Sequence, residues 1–568
     1  MRRALPVAWS ALLTAVMLWQ ALGPGYVLSY DMVWVPDLAM RPDFLGLGSA
    51  LPRAVPSDAV VAALDEVVPG MLLQKVVLVG ALMGAGLGAA RLAPPHSLTG
   101  QLAAISLYQW NPFVIERLLI GHWPVLLGYA VLPWLVVASR RARKHQRFPP
   151  VLCLLLPVAS LSASAGLMAA LVILLLGWGP RLRTNLALVA TVVAANAPWL
   201  VAGAVHVEAA TTDPLGAEVF GLHGTRWLPA PVAALGLGGS WNSDVVPASR
   251  GGALGLIALL GVLVLCAFGV RHWWRNTDRR ETLGLLICWV VGWGIAVLTW
   301  ACPGAMGSLY EHVPGAGLLR DGSRMLALCA PLLVATASHG VGELRARVGA
   351  AEAPGVAATV ALVLFPVAVL PDAAWGGSGA LHAVDYPDSY AAAADVVEDV
   401  RARGGDGDVV VLPFTSYRAP EWNERRKVLD PLGRYLDPDF VVSGDLAVDG
   451  RTVAGEDPRA VRVGVALARR TPQARAEALA DLGIGFVVLD KDEVLPGLPA
   501  ELAPEVAGRR TEAGRVTVIA LTDPAPAATS PGTRAAVTVG WLLYLALLAG
   551  AAGSVVRNLA RRRGSGVS

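Results

Sequence analysis

Residues 151–178 read VLCLLLPVASLSASAGLMAALVILLLGW, and the number of times this stretch crosses a membrane decides the topology of the whole chain. The segment before it, SRRARKHQRFP (139–149), carries five Arg or Lys and no acid. Later segments are also Arg-rich: RHWWRNTDRRE (271–281), ELRAR (343–347) and RNLARRR (557–563). Lys and Arg are retained on the cytoplasmic side of a bilayer. A single crossing by 151–178 would put the basic segments on opposite faces. A turn at SASAG (162–166) sends the chain out and back, and leaves every basic segment on one face. The second reading is the consistent one. Each arm is then about 13 residues, short of the length that spans roughly 30 Å of hydrocarbon, so protein must surround it.

The rest of the composition agrees with a membrane protein. Of 568 residues, 55% are hydrophobic and only 16% charged, with a mean hydropathy of +0.55. A soluble domain carries roughly 25% charged residues. Uncharged blocks recur at 71–90, 253–270, 283–301, 354–371 and 535–556. The N-terminal MRR and the apolar run to Leu22 lack a good cleavage site and read as an uncleaved span. The expectation is a polytopic α-helical membrane protein of about 12 membrane segments, near 5–23, 71–90, 98–113, 124–138, 151–163, 165–178, 184–204, 253–270, 283–301, 324–341, 354–371 and 535–556. Both termini are then cytoplasmic, in a plasma membrane, and the acidic loops 24–70 and 205–250 lie outside. Only four of 46 basic residues are Lys, and the Arg clusters serve topology, which argues against a nucleic-acid partner.

Three domains follow: a transmembrane bundle over 1–371, an extracytoplasmic α/β domain over 372–533, and a final span with a basic tail over 534–568. Within the second, SYAAAADVVEDVRARG (389–404) has a helical period and a terminal Gly, and DVVVLPF (408–414) reads as a buried strand. Helices at 457–470 and 473–482 and strands at 484–489 and 515–521 complete an α/β alternation. None of the five cysteines lies in this domain, so it has no disulfide framework and no Cys-based zinc site.

Three segments hold ionisable groups at the outer boundary. GPGYVLSYDMVWVPD (23–37) places Asp31 and Asp37 just past the first span, and DAVVAALDEVV (58–68) has the period of a surface helix. YQWNPFVIERLLIGHWP (108–124) is broken by Asn111-Pro112, with Glu116, Arg117 and His122 following; Glu116 and Arg117 could neutralise each other. LLRDGSRM (318–325) sets Arg320, Asp321 and Arg324 ahead of a span, where outward arginines suit an anionic partner such as a lipid phosphate. No nucleotide-binding loop, zinc-protease or hydrolase motif is present.

With those segments, the layout resembles the GT-C superfamily of integral membrane glycosyltransferases, above all its bacterial members; VVLPFTSYRAPEWNERRKVLDP (410–431) resembles a segment of the same proteins. The resemblance implies a sugar transferred from a polyprenyl-phosphate donor to an envelope glycan, lipid or protein on the outer face. It implies Asp31 as general base, with Asp37 as the alternate. Arg117, Arg320 and Arg324 would hold the lipid phosphate, with Asp321 beside them, and Glu116 and His122 would line the sugar pocket. The paired acidic motif that holds a metal in some members is missing, so no metal ligand and no cofactor is assigned. A flippase or transporter for lipid-linked saccharide, or a non-catalytic envelope scaffold, are the alternatives; few polar residues lie in the spans, which disfavours transport.

Overall fold

The computed structural model describes residues 4–48, 51–207, 212–348, 353–448, 450–491, 503–526 and 529–564; the initial MRR lies outside them. Seven helices are long and apolar enough to cross a membrane: Ala4–Leu22, Gly70–Ala89, Trp123–His145, Leu182–Val205, Ala253–Asn276, Arg279–Ala301 and Pro531–Ser554. Two bent pairs, Gly322–Leu328 with Ala330–Arg347 and Ala353–Val369 with Pro371–Ser378, raise the number to nine. The other three expected segments are helices too, but short: Leu98–Gln109, Leu152–Ala159 and Ala163–Gly177. The chain is a multi-pass membrane protein; among the described residues seven to nine helices are long and apolar enough to span, and the expected count of about 12 segments is not reached by helices of full span length.

The decisive stretch does go out and back. Its helices break at Ser160–Ser162, slightly before the expected apex. The returning helix ends beside the basic loop where the outgoing one began, with Arg143 donating to the Leu176 carbonyl. At that same end Arg140 grips Glu281 through two hydrogen bonds of 2.6 and 2.9 Å, and Arg143 pairs with Asp278 at 2.8 Å. At 1.5 Å per residue the first arm rises only about 12 Å, so its apex is buried at mid-depth. Ser160 Oγ there donates to the Pro157 carbonyl, and Gly128 and Ala165 meet so closely that a Cβ on Gly128 would stand 2.3 Å from that of Ala165. Protein on every side is what makes a broken helix tolerable there.

A five-stranded sheet is built between the last two spans, in the order Arg509–Ala513, Val516–Ala520, Ile484–Asp490, Asp408–Leu412, Phe440–Val441. Asp408–Leu412 is parallel to both of its neighbours, and the other two pairings are antiparallel. Strand side chains alternate between faces. Val409 and Val411 therefore pack under helix Asp388–Ala402 through Tyr390, Ala393 and Val397. Val410 and Leu412 pack under helix Pro458–Leu467 through Ala460 and Val463. The edge strands Arg509–Ala513 and Phe440–Val441 were not expected from the sequence; the second is two residues long and carries no period.

The sheet unit is bound to the first long loop. Tyr26–Val27 pairs antiparallel with Ala383–Val384. The buried Arg41 guanidinium donates to the carbonyls of Gly433, Arg434, Leu436 and Asp437, closing the end of helix Leu432–Tyr435. Helix Ser57–Asp65 is not a free surface helix: Asp58 is buried and pairs with Arg434 at 2.7 Å. Replacing Arg41 strands several buried carbonyls at once. We expect Arg41→Ala to cost about 3 kcal/mol, read as a lowered thermal unfolding midpoint of the purified protein together with faster proteolysis in the 430–440 segment.

Candidate functional site

The tightest convergence of ionisable groups lies where the first loop, the 111–122 segment, the 320–324 segment and the sheet unit meet. Asn111 caps helix Pro112–Leu119, its Oδ1 accepting from the Val114 N–H at 3.1 Å, with Pro112 at the first helical position. The helix ends in a left-handed turn at Gly121 (φ +82°), against which Ser29–Met32 is seated. A Cβ on Gly121 would stand 2.2 Å from Met32 N and 2.4 Å from the Ser29 carbonyl oxygen. The seating is completed by Asp31 N–H donating to the Ile120 carbonyl at 3.1 Å and Ser29 Oγ to that of Leu119 at 2.5 Å.

From that seat Asp31 Oδ2 faces His122 Nε2 at 3.1 Å, and its Oδ1 accepts from the Tyr417 hydroxyl. His122 Nδ1 faces Arg117 Nη1 at 2.9 Å. An arginine can only donate, so Nδ1 accepts and the His122 proton sits on Nε2, directed at Asp31. Arg117 also donates to Asp321 Oδ2 and Ser323 Oγ, both at 2.8 Å, and Ser323 Oγ donates to Asp321 Oδ1 at 2.5 Å. Arg324 Nε donates to Asp321 Oδ2 at 3.0 Å, while its Nη2 approaches His122 Nε2 at 3.1 Å. Asp31, His122, Arg117, Asp321 and Arg324 thus form one continuous polar network.

Burial pushes the His122 pKa down to about 4, aided by the charge of Arg324 and opposed by Asp31, so the ring is neutral at pH 7. Burial alone would raise Asp31, but the hydrogen bond and charge of His122, the Tyr417 hydrogen bond and the charge of Arg324 together hold it below the usual carboxylate range. The Asp31 carboxylate is deep in the protein yet keeps 40% of its side-chain surface open. Asp321 is likewise opposed by burial and held well below its ordinary value by the charges of Arg117 and Arg324.

Several expected residues sit otherwise. Arg117 does not neutralise Glu116; it pairs with Asp321. Glu116 faces the outer loop instead, accepting from the Ser240 N–H at 3.3 Å, and burial pushes it up to about 7 despite the charges of Arg117 and Arg250. Asp37 is exposed and stands near Asp65 rather than in the network, its charge helping to hold Asp65 up at about 6, after burial. Arg320 pairs with Glu456 of the sheet unit at 2.7 Å, and its guanidinium lies 4.8 Å from the centre of the Phe220 ring. Arg320 and Arg324 remain about a third exposed, whereas Arg117 is 1% exposed.

Tyr417 and Ser323 were not singled out from the sequence. Ser323 lies inside LLRDGSRM, where Arg and Asp on either side mark it as a candidate. Tyr417 lies inside the 410–431 segment, but 386 positions from Asp31, and no local pattern links the two. Beyond Tyr417, Tyr30 donates to Asp244 Oδ2 at 2.9 Å and Lys427 donates to the same oxygen at 2.7 Å, forming a polar rim. The donor set around Asp31 does not suit a divalent cation: its oxygens face an N–H and an O–H, with the Arg324 guanidinium close by, and among the described residues no cluster of His, Cys, Asp or Glu is placed to hold a metal.

No family model matches the chain, and no curated protein matches it. Solved structures do match. The arabinofuranosyltransferase AftD from mycobacteria matches at a TM-score of 0.56 with 16% identity, over 92% of this chain and 40% of that one. A mutant of the same enzyme matches at 0.55 with 16% identity, over 92% and 41%. The chain spans about two fifths of the length of these enzymes. At this identity the likeness concerns the fold alone. Because Gly121 has a positive φ and no room for a methyl group, Gly121→Ala must push the Asp31 turn off its seat. We expect about 2–3 kcal/mol of destabilisation, measured by thermal unfolding, where a control Gly203→Ala, in open space, leaves stability unchanged or improves it.

Proposed function

We propose that the protein is a membrane glycosyltransferase of envelope synthesis, taking a sugar from a polyprenyl-phosphate donor to a hydroxyl acceptor at the outer face. The observation that supports it best is Asp31: an ionised, partly open carboxylate at the outer end of a GT-C-like bundle, oriented through both oxygens and flanked by half-open arginines. The arabinofuranosyl group in the name of the solved neighbours makes a polyprenyl-phosphoryl arabinofuranose the first donor to test.

In this reading Asp31 takes the proton of the acceptor hydroxyl as that oxygen attacks the anomeric carbon, and the carbon–oxygen bond to the lipid phosphate breaks. His122 stays neutral and fixes the carboxylate through Nε2–H; Arg117, fully enclosed, fixes His122 and Asp321 rather than touching substrate. Arg320 and Arg324 are the cations open enough to meet the phosphate and stabilise charge on it as it leaves. Tyr417 ties the base to the sheet unit, which makes that unit a wall of the site, on the outer side with both termini cytoplasmic.

The test is transfer from labelled donor by purified protein in lipid. Asp31→Asn should lower the rate by on the order of 10²–10⁴-fold without changing the unfolding midpoint, and Asp37→Asn should leave it unchanged. An active Asp31→Asn protein sinks the assignment. The pH profile gives an independent reading. Asp31 is held below its ordinary value, so wild-type kcat/KM should show no acid limb from it above about pH 5. Tyr417→Phe removes a donor that favours the carboxylate, raises that pKa, and moves the acid limb upward; an unmoved limb would separate Tyr417 from the base.

A further inference from the structure

Arg250 ends the outer loop, three residues before the start of helix Ala253–Asn276, and it is 2% exposed. Its Nη2 has no hydrogen-bond partner among the described residues. Two acids are near enough to be felt, Glu116 and Asp372. Neither forms an ion pair with it among the described residues: Asp372 is taken by Ser249, whose N–H donates to Oδ2 at 2.7 Å and whose hydroxyl donates to Oδ1 at 2.5 Å, and Glu116 accepts from Ser240. A guanidinium buried without a close partner is costly, and such groups normally have a counter-charge.

The place it faces is a cavity. Arg250 lines a cavity of about 40 Å3, with Trp110, Asn111, Val262, Phe365 and Val369 among the walls. Asn111 is fully engaged, donating to the carbonyls of Leu107 and Tyr108 and to the Tyr129 hydroxyl, so Arg250 is the polar group there with hydrogen-bonding capacity to spare. Gly238 makes room for it: a Cβ there would stand 3.0 Å from Nη2. The remaining walls are apolar and come from several elements, among them the helices Ala253–Asn276 and Ala353–Val369, which carry exposed Ile257, Leu260 and Leu364. In a bilayer those residues meet lipid chains. The pocket therefore offers one buried cation at the level of the outer loops and an apolar path to the membrane beside it.

We propose that this pocket is a binding site for the phosphate head of a membrane lipid, with Arg250 as its anchor and the lipid's apolar chain leaving between the two helices. The site is separate from the Asp31 network, from which Glu116 divides it, and it does not rest on the transferase reading. A guanidinium matches the fork of a phosphate oxygen pair, and a zwitterionic or neutral head supplies no net charge to offset Arg250. The same chemistry has two sources, a diacyl phospholipid and a polyprenyl phosphate.

Binding to the purified full-length protein tests it without an activity assay. Lipid retention is read by native mass spectrometry after exchange into neutral detergent and addition of phosphatidylglycerol, undecaprenyl phosphate or phosphatidylcholine. We expect one or both anionic lipids to be held at least about ten-fold more tightly than phosphatidylcholine. Retention of phosphatidylglycerol identifies a bulk-lipid site, and retention of undecaprenyl phosphate alone identifies a carrier site; either supports the proposal. Arg250→Gln should abolish the preference and Arg250→Lys should keep part of it. Val262→Trp, which fills the mouth and leaves Arg250 in place, should lose the same lipid and covers the case of an unstable Arg250 variant. Equal retention of all three lipids by wild type, or an unchanged preference in both Arg250→Gln and Val262→Trp, overturns it.

Discussion

The structure turns on the backbone of Tyr30. Its N–H donates to the Lys427 carbonyl and its carbonyl accepts from the Leu429 N–H, both at 2.8 Å, so one residue of the first loop is added as a strand fragment beside Val428. The same residue has a φ of +46°, a conformation non-glycine residues adopt only when their surroundings enforce it. Next to it, Asp31 is turned out of the strand line toward His122. A backbone pairing between parts of the chain 400 residues apart thus sets the direction of a single carboxylate. Without it the Ser29–Met32 turn would have the Gly121 seat beneath it and nothing above.

This explains why the sheet unit cannot be regarded as an appendage. Its central strands obey ordinary α/β rules and could be cut from the bundle on paper. Besides apolar contacts through Val428, Trp422 and Tyr435, the bundle is met by Tyr417 and Lys427 at the antiparallel pair of Tyr417–Arg418 with Val428–Leu429, by Glu456 beyond it, and by the carbonyls at the end of helix Leu432–Tyr435 that Arg41 satisfies. Each is a polar contact, and each reaches a residue of the first loop, the loop before helix Ala253–Asn276 or the 320–324 segment. Polar contacts of this kind fix register and orientation more than they add stability.

What was legible in the sequence follows from the range of the interactions. Hydropathy and charge act on every residue of a segment at once, so the apolar blocks, the out-and-back stretch and the helix break at Asn111-Pro112 could all be read. The three site segments were legible for the same reason: ionisable groups against an apolar background stand out. Their partners were not. Glu116 and Arg117 could have neutralised each other by sequence, but consecutive helical residues point about 100° apart, and the two turn to different loops. Asp37 looked equivalent to Asp31 by position; buried Val33, Trp34 and Val35 between them carry the chain away from the network. Tyr417 could not be read at all, since nothing in a strand period says which distant acid a tyrosine will meet. The span count differs for another reason, because a length criterion cannot tell a full span from an 8-residue arm packed on one side against protein.

Two arginines next to Glu116 show how one fold separates a structural cation from a receptive one. Arg117 is enclosed and has its charge answered by Asp321, with Ser323 and His122 taking further donors, so it acts as a fixed part. Arg250 is enclosed as deeply, yet its nearest acids form no ion pair with it among the described residues, its Nη2 has no partner there, and the residue lines a pocket. Burial alone therefore says little about the role of a charged group in this protein; what decides it is whether the counter-charge is part of the chain. By that measure Arg320 and Arg324, each paired once and still partly open, fall between the two. They are held well enough to keep their geometry and free enough to meet a second anion, as a group must be if it is to stabilise a charge that appears only while a bond is breaking.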